Sequence, residues 1–341
     1  MTESAKMEGC TVSLPDHTRS ISNVQVRRVL TEILGAEIAP LRRLNAGQRC
    51  REFIIFGLFW LSGALLIGYG LTLPGGLVAY SLRIAGTILA AIALNAMVLL
   101  QHEGMHHTLF RNRHWNYWCS VVCGGTVLIA FSAYRLLHLR HHRYLGDPRD
   151  LDEYRNHSSD RRMIWAMHYM RLCFGSIIYI VLIPFIAYQY GIALERRRIR
   201  REYTLLALAY TLLLLFVPHD LLLHTWFIPL ILAGFLTNIR GLNEHGFTET
   251  HNACVASRTM VVHPIVAFCM LNINYHLEHH LFPEVPSYHL PQIHALIWPH
   301  LPQVITGTSY IGFLGQFFRA TLTLDDAPIG LNTPIPSGEV E

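Results

Sequence analysis

A chain of 341 residues that is 52% hydrophobic and only 15% charged is too apolar for an ordinary soluble domain, in which about a quarter of the residues carry charge. Its formal net charge of +4 is small, Lys6 is its single lysine, and no basic block interleaves with aromatics, which argues against a nucleic-acid binder. Seven cysteines (Cys10, Cys50, Cys119, Cys123, Cys173, Cys254 and Cys269) are scattered without zinc-ribbon spacing, so neither a disulfide framework nor a thiolate metal site is expected.

Residues 1–24 are polar and aperiodic and are expected to be disordered; they lack the apolar core of a signal peptide. Residues 25–51 form a basic, amphipathic stretch with Arg27, Arg28, Arg42, Arg43, Arg49 and Arg51, suited to a cytoplasmic membrane surface. Phe53 to Leu73 is an uninterrupted apolar run, long enough for a spanning helix of about 20 residues, and Pro74-Gly75-Gly76 ends it. A second run, Ile84 to Leu100, stops at Gln101-His102. Spans at about 53–73 and 84–101 make a hairpin that returns the chain to its starting side, with Arg83 the only basic residue in the connecting loop.

Residues 117–133 are apolar but contain Gly124-Gly125. A full crossing there would separate His102 from His138, so this segment is expected to lie in the interface or dip partway in. Three further apolar segments follow at 174–190, 204–217 and 221–239, and three crossings would misplace whatever comes after them. The five arginines between Glu195 and Glu202 belong on the cytoplasmic side. Hence 174–190, interrupted by Pro184, is not expected to cross. Spans at 203–218 and 221–239 then form a second hairpin that turns near Pro218-His219-Asp220. The expected fold is an all-α integral membrane protein: four transmembrane helices in two hairpins, with a cytoplasmic helical cap holding a histidine-rich di-metal site. The membrane domain covers 25–320, and 321–341, rich in Pro, Gly and acidic residues, reads as a flexible tail.

The chain has 21 histidines, and three clusters of them sit just beyond apolar runs. They read His102-Glu-Gly-Met-His106-His107, His138-Leu-Arg-His141-His142 and His276-Leu-Glu-His279-His280. Helical residues three and four apart share a face, so each cluster can aim two or three imidazoles at one point. Converging beside a bilayer, they could hold two metal ions. Neutral imidazole suits iron, copper, zinc and nickel, which points to redox chemistry on a lipid-like substrate.

These three boxes resemble those of the integral-membrane fatty acid desaturase superfamily, which includes acyl desaturases, lipid hydroxylases and carotenoid-modifying enzymes. Arg111-Asn112-Arg113 after the first box and Leu281-Phe282-Pro283 after the third also look like that family, and Arg240-Gly-Leu-Asn-Glu-His245 is similar to its isolated ligand before the third box. The resemblance covers roughly residues 50 to 300. It implies two iron ions with O2 as co-substrate, and the ligands His102, His106, His138, His141, His142, His245, His276, His279 and His280. His107 is an alternative to His106, and His251 competes with His245.

Ligand histidines need acceptors for their second nitrogen, and Glu103, Asp147, Asp150, Glu244, Glu278 and Glu284 lie close in sequence. Asn243 and Asn272 could orient a water on a metal. The implied reaction is introduction of a double bond into a fatty acyl or other lipid-like substrate, with hydroxylation or ketone formation on a lipid or isoprenoid as the alternative. Electrons would come from a separate donor of ferredoxin or cytochrome b5 type, for which Arg140, Arg143, Arg161 and Arg162 offer a docking surface. The expected setting is a bacterial inner membrane with termini and site cytoplasmic.

Two rival readings remain at this point. His102-Glu103-x-x-His106 matches the H-E-x-x-H pattern of zinc proteases, with Glu103 as base, but leaves both H-x-x-H-H boxes unexplained. A membrane heme or metal carrier would need facing histidines inside the span, whereas these lie at its edge.

Overall fold

The computed structural model describes residues 22–332, except 146, 148, 154, 155, 157, 249–251, 302, 325 and 326. His157, His251, residues 1–21 and most of the expected C-terminal tail lie outside this set. The molecule is mostly helical, and one small sheet departs from the all-α expectation.

Helix α1 (Asn23–Leu41) starts at a capping box in which Ser22 and Gln25 satisfy each other's backbone N–H groups. Its Val26, Leu30 and Ile38 recur at helical spacing and are fully buried against the C-terminal cap. Thus the apolar stripe of the basic stretch covers protein; Arg28, Arg42, Arg43 and Arg51 face outward, whereas Arg49 is fully buried. Arg27 and Arg42 both pair with Glu284 of the cap, at 3.3 and 3.1 Å.

Helices α2 (Ala46–Thr72) and α3 (Leu77–Met105) are the first hairpin of apolar helices. Gly63 and Gly86 let their backbones meet: a Cβ on either would sit 2.6 Å from the other's carbonyl oxygen. Most of α2 faces outward, while α3 is buried along its second half and carries the first box at its end.

Helices α4 (Arg113–Thr126) and α5 (Phe131–Tyr144) meet at a bend of 100°. Gly124 makes the bend possible, because a Cβ there would fall 2.3 Å from the Ile129 carbonyl and closer still to Gln101. The segment expected to dip or lie in the interface is therefore a sharply broken pair, and α5 carries the second box.

Helix α6 (Arg161–Tyr190) runs through Pro184 without breaking. Helix α7 (Ala193–Phe216) opens with the arginine cluster, and α8 (His219–His245) contains one wide turn at Leu223–Phe227. Among the described residues, four helices are long and apolar enough to cross a membrane: α2, α3, α6 and α8. The count matches expectation but one member differs. The apolar part of α7, Tyr203 to Phe216, rises only about 21 Å at 1.5 Å per residue, short of the ~30 Å hydrocarbon core. By length and composition α6 qualifies instead.

Nevertheless α6 stays beside the histidine-bearing helices from end to end. Its Trp165 packs on Phe247, just after α8, with ring centroids 5.5 Å apart. Tyr179 faces Tyr134 of α5 and donates to Asp152. Beyond its last turn, Gly191 lies against Leu136 of α5.

The remaining elements form the cap: β1 (Arg258–Met260), α9 (Pro264–Cys269), α10 (His276–Leu281), α11 (Leu290–Ile297), β2 (Val304–Gly307), α12 (Tyr310–Thr323) and β3 (Leu331–Asn332). β1 pairs parallel to β2, with Arg258 opposite Ile305, and β2 pairs antiparallel to β3. This sheet pins the chain on either side of α10, which carries the third box.

Candidate metal centre

The first box ends α3, the second lies on α5, His245 ends α8 and the third forms α10. Helical spacing puts the box histidines of each element on one face, and the packing of α3, α5, α8 and α10 turns those faces toward each other. One group comprises His102, His106, His138, His142 and His279; another comprises His141, His245 and His280. Within each group the candidate ligand atoms lie within 4.8 Å of one another. His276 adjoins the second group, its Nε2 lying 2.9 Å from Nε2 of His245 and 3.2 Å from Nε2 of His280. In the first group, Nε2 of His106 is 2.9 Å from Nε2 of His138, and Nε2 of His279 is 3.1 Å from that of His142. Nε2 atoms of His141 and His245 are 3.2 Å apart.

Facing ring nitrogens at these separations fit a shared cation. Nitrogen ligands about 2 Å from a metal lie about 3 Å or slightly more from one another. Both ring nitrogens of His102 are buried without a hydrogen-bond partner, a cost that coordination would remove. Burial also holds His276, His279 and His280 well below the usual imidazole pKa, and neighbouring histidines push the same way. Burial, with Arg135 and His107 adding to it, lowers His106 to about 3. These rings are therefore neutral near pH 7, the form that binds a metal.

His107 points elsewhere. It takes a left-handed backbone conformation (φ 60°), and its ring meets Asn116 and Arg135 at 3.4 Å rather than either histidine group. The isolated histidines also find other roles: His168 stacks on Phe247, and His263 accepts the Ile265 N–H at the start of α9.

The acidic neighbours divide sharply. Asp150 accepts a 2.8 Å hydrogen bond from Nδ1 of His141, so it orients that ring. The Oε1 atom of Glu244 lies 3.5 Å from Nδ1 of His276 and accepts from Arg240 at 2.8 Å. Glu278 touches no ring of the two groups. It accepts from Thr259 and from Nδ1 of His294, both at 2.6 Å, and so anchors α10 to β1 and α11. Sequence spacing could not reveal His294, because its partner is one turn of the cap away in space and sixteen residues away in sequence. Asp147 pairs with exposed Arg149, and Glu284 with Arg27 and Arg42.

Glu103 is not free to act as a protease base. It accepts from the buried guanidinium of Arg49, from the Thr108 hydroxyl at 3.0 Å and from the Ser287 N–H at 3.1 Å. The zinc-protease reading thus loses its base. Asn243 is fully buried with both side-chain polar atoms unpartnered. Asn272 instead turns the chain: φ is 58° and its N–H donates to Ala267.

One residue between His245 and the third box carries no sequence signal. Arg258 is buried, meets no carboxylate among the described residues, and donates to the carbonyls of Asn243, Gly246, Phe247 and Ile329. It closes the C-terminal end of α8 behind His245. Burial lowers it to about 9.

The family model for fatty acid desaturase matches residues 79–311. The chain belongs to the fatty acid desaturase family. A Mus musculus sphingolipid delta(4)-desaturase/C4-monooxygenase is 25% identical over 231 residues, 61% of this chain and 64% of its own. A Drosophila melanogaster sphingolipid delta(4)-desaturase is 26% identical over 272 residues, covering 76% and 80%. A Bacillus subtilis fatty acid desaturase is 24% identical over 311 residues, covering 83% and 85%. The chain spans less than two thirds of the length of the mouse relative. Every histidine of the two groups lies inside the matched region of this desaturase-family chain.

Proposed function

We propose that this protein is an O2-dependent di-iron oxidoreductase that introduces a double bond into a fatty acyl or sphingolipid-like chain. The observation that carries the reading is the convergence of largely buried imidazoles from α3, α5, α8 and α10 into two adjacent groups. His102, His106, His138, His142 and His279 would hold one ion; His141, His245, His276 and His280 would hold the other. Bound iron would supply O2 activation, with two electrons from a separate carrier of ferredoxin or cytochrome b5 type, the oxidising power that an unactivated C–H bond demands.

The chain's own residues hold that geometry. Asp150 fixes the tautomer of His141 so that Nε2 faces inward. The Arg240–Glu244 pair sets a carboxylate behind His276. Arg49 clamps Glu103, and with it the end of α3, to Ser287 of the cap. Asn243, whose buried side-chain oxygen and nitrogen have no partner among the described residues, would bind a water.

Hydroxylation is the second reading, favoured by one fact: the mouse relative's name couples desaturase with C4-monooxygenase. Both reactions begin by removing hydrogen from a saturated carbon, and they part at the next step. Expression in a host lacking the activity, followed by mass spectrometry of its lipids, separates them. Loss of two hydrogens from a lipid supports the desaturase, and gain of one oxygen supports the hydroxylase. Unchanged lipids in the presence of a competent electron donor would refute both.

The histidine groups require an even number of crossings between His141 and His245, which meet in one site. The reading we favour makes α7 and α8 the second hairpin and leaves α6 in the interface, because the arginine cluster that opens α7 belongs on the side of the metal centre. The arginines of α7 then share the cytoplasmic side with the metal centre, in a bacterial inner membrane or its equivalent.

A further inference from the structure

A cavity of about 1010 Å³ opens between α4, α5 and the start of α7, outside the metal centre. Arg113, Arg135, Arg197, Arg198 and Arg201 line it, with Glu195 the only carboxylate among the lining residues. That carboxylate is engaged elsewhere, because Glu195 accepts the Ile192 N–H at 2.9 Å and caps its own helix. Glu202 lies next to the arginines, but its oxygens already accept from Tyr117 and from the hydroxyl and N–H of Ser132, at 2.5 to 2.7 Å. Arg113, Arg197 and Arg198 make no hydrogen bond or ion pair among the described residues. A concave site holding five guanidinium groups against one carboxylate is electrostatically incomplete. Guanidinium groups satisfy such a site best with an oxyanion that they can bind in bidentate fashion.

We propose that this cavity binds a phosphate-bearing headgroup, and that the headgroup belongs to a membrane lipid. Three features favour phosphate on a lipid over an acidic protein surface. The site is concave and close to the roughly 300–1,000 Å³ of small-molecule pockets. Trp118 lines it and holds the Arg201 guanidinium 5.1 Å above its ring, while the Tyr117 hydroxyl accepts from Arg201 at 3.0 Å. Tryptophan and tyrosine of this kind mark the headgroup level of a bilayer. Finally, Leu194 on the cavity wall and the nearby Trp115 expose apolar surface that acyl chains would cover.

The cavity also touches the metal centre through one side chain. Arg135 donates to the Met105 carbonyl at 3.3 Å and meets Nε2 of His107 at 3.4 Å. These two residues flank His106. A headgroup drawn onto Arg135 would thus sit one residue from the metal centre without replacing any ligand.

The test uses the full chain purified in an uncharged maltoside detergent. Native mass spectrometry reads retention of phosphatidic acid and of phosphatidylcholine, and a second arm adds inorganic phosphate. Wild-type protein should retain one phosphatidic acid about tenfold more strongly than phosphatidylcholine. The pair Arg197→Gln/Arg198→Gln should lose that preference, Arg197→Lys/Arg198→Lys, which keeps the charge but not the bidentate fork, should keep part of it, and Arg161→Gln/Arg162→Gln, outside the cavity, should match wild type. The lysine pair shows whether any loss reflects charge or a failure to fold. Displacement of the lipid by millimolar inorganic phosphate would assign the site to soluble phosphate esters and overturn the lipid source. Equal retention of the two lipids by wild type, or undiminished phosphatidic acid on the glutamine pair, would overturn the site itself. Displacement of the lipid by an acidic ferredoxin at stoichiometric concentration would show a protein-docking surface and refute the proposal.

Discussion

Substituting Asp150 by Asn isolates the contribution of one carboxylate to the metal centre. Asp150 is 1% exposed, and its Oδ2 accepts from Nδ1 of His141 at 2.8 Å. Its Oδ1 accepts the Asp152 N–H at 3.0 Å, a turn contact that the Asn side chain can keep. The substitution therefore preserves shape and removes charge. A buried hydrogen bond to a charged group contributes on the order of 1.5–3 kcal/mol, and acceptors behind metal-bound histidines typically govern affinity by about 10- to 100-fold. The single amide oxygen stays on the Asp152 N–H, so the amide nitrogen faces Nδ1 of His141 and that bond is lost; the expected effect is about 10- to 100-fold weaker iron binding, or ~1.4–2.8 kcal/mol. The assay is iron content after equilibration against a graded chelator, with turnover measured in parallel. Asp152→Asn is the control, since Asp152 accepts from the Tyr179 hydroxyl and touches no ring of the two histidine groups. If Asp150→Asn holds iron as wild type does, or the control loses as much, the carboxylate does not tune His141 and the account of the second ion fails.

His279→Ala, in the five-histidine group, should abolish turnover and lower bound iron, whereas exposed His300→Ala should change neither; metal analysis and product yield check both. Acid should weaken metal-free protein. His106 is depressed from 6.5 to about 3 by burial, so the unfolded chain takes up protons that the fold refuses once pH drops below 6.5. That single imidazole contributes a loss of about 2 kcal/mol between pH 7 and pH 5, recovered above pH 6.5; a chelator-treated sample whose unfolding midpoint is flat from pH 7 to 5 would contradict it. Topology is accessible to labelling. In a background without the exposed Cys50 and Cys173, Arg198→Cys should react with an impermeant maleimide only from the cytoplasmic side, and labelling from the outside would make α6 the third crossing. Finally, Glu103→Gln should impair stability more than chemistry, because it breaks the clamp with Arg49; a thermal shift with residual activity is the expected pattern.

The three boxes were legible in the sequence because helical spacing is a local property: His138, His141 and His142 share a face whatever surrounds them. What brought the boxes together was not local. His141 and His245 are separated by 104 positions, and only the packing of α5, α6 and α8 places their rings 3.2 Å apart. The same reasoning explains where the acids were misjudged by proximity in sequence. Glu103 and Glu278 sit beside ligands in the chain, yet on a helix a neighbouring residue points about 100° away, and both turn outward to bind Arg49 and His294. Asp150 lies nine residues from His141 and reaches its ring because the chain after α5 folds back. The small sheet was invisible because β1 and β3 are only three and two residues long, too short for alternation to register. Apolarity marked α6 as clearly as it marked α2, but it cannot distinguish a helix that crosses lipid from one that lies along the interface and covers a metal centre. Packing separates its ends from its middle: Trp165 and Gly191 lie beside Phe247 and Leu136, near the histidine groups, whereas Ser176 bonds Gly234 and Asn238, about two to three turns along α8 from His245. The side from which Arg198→Cys is labelled therefore decides between the two placements of α6, since the arginines that open α7 follow directly on its end.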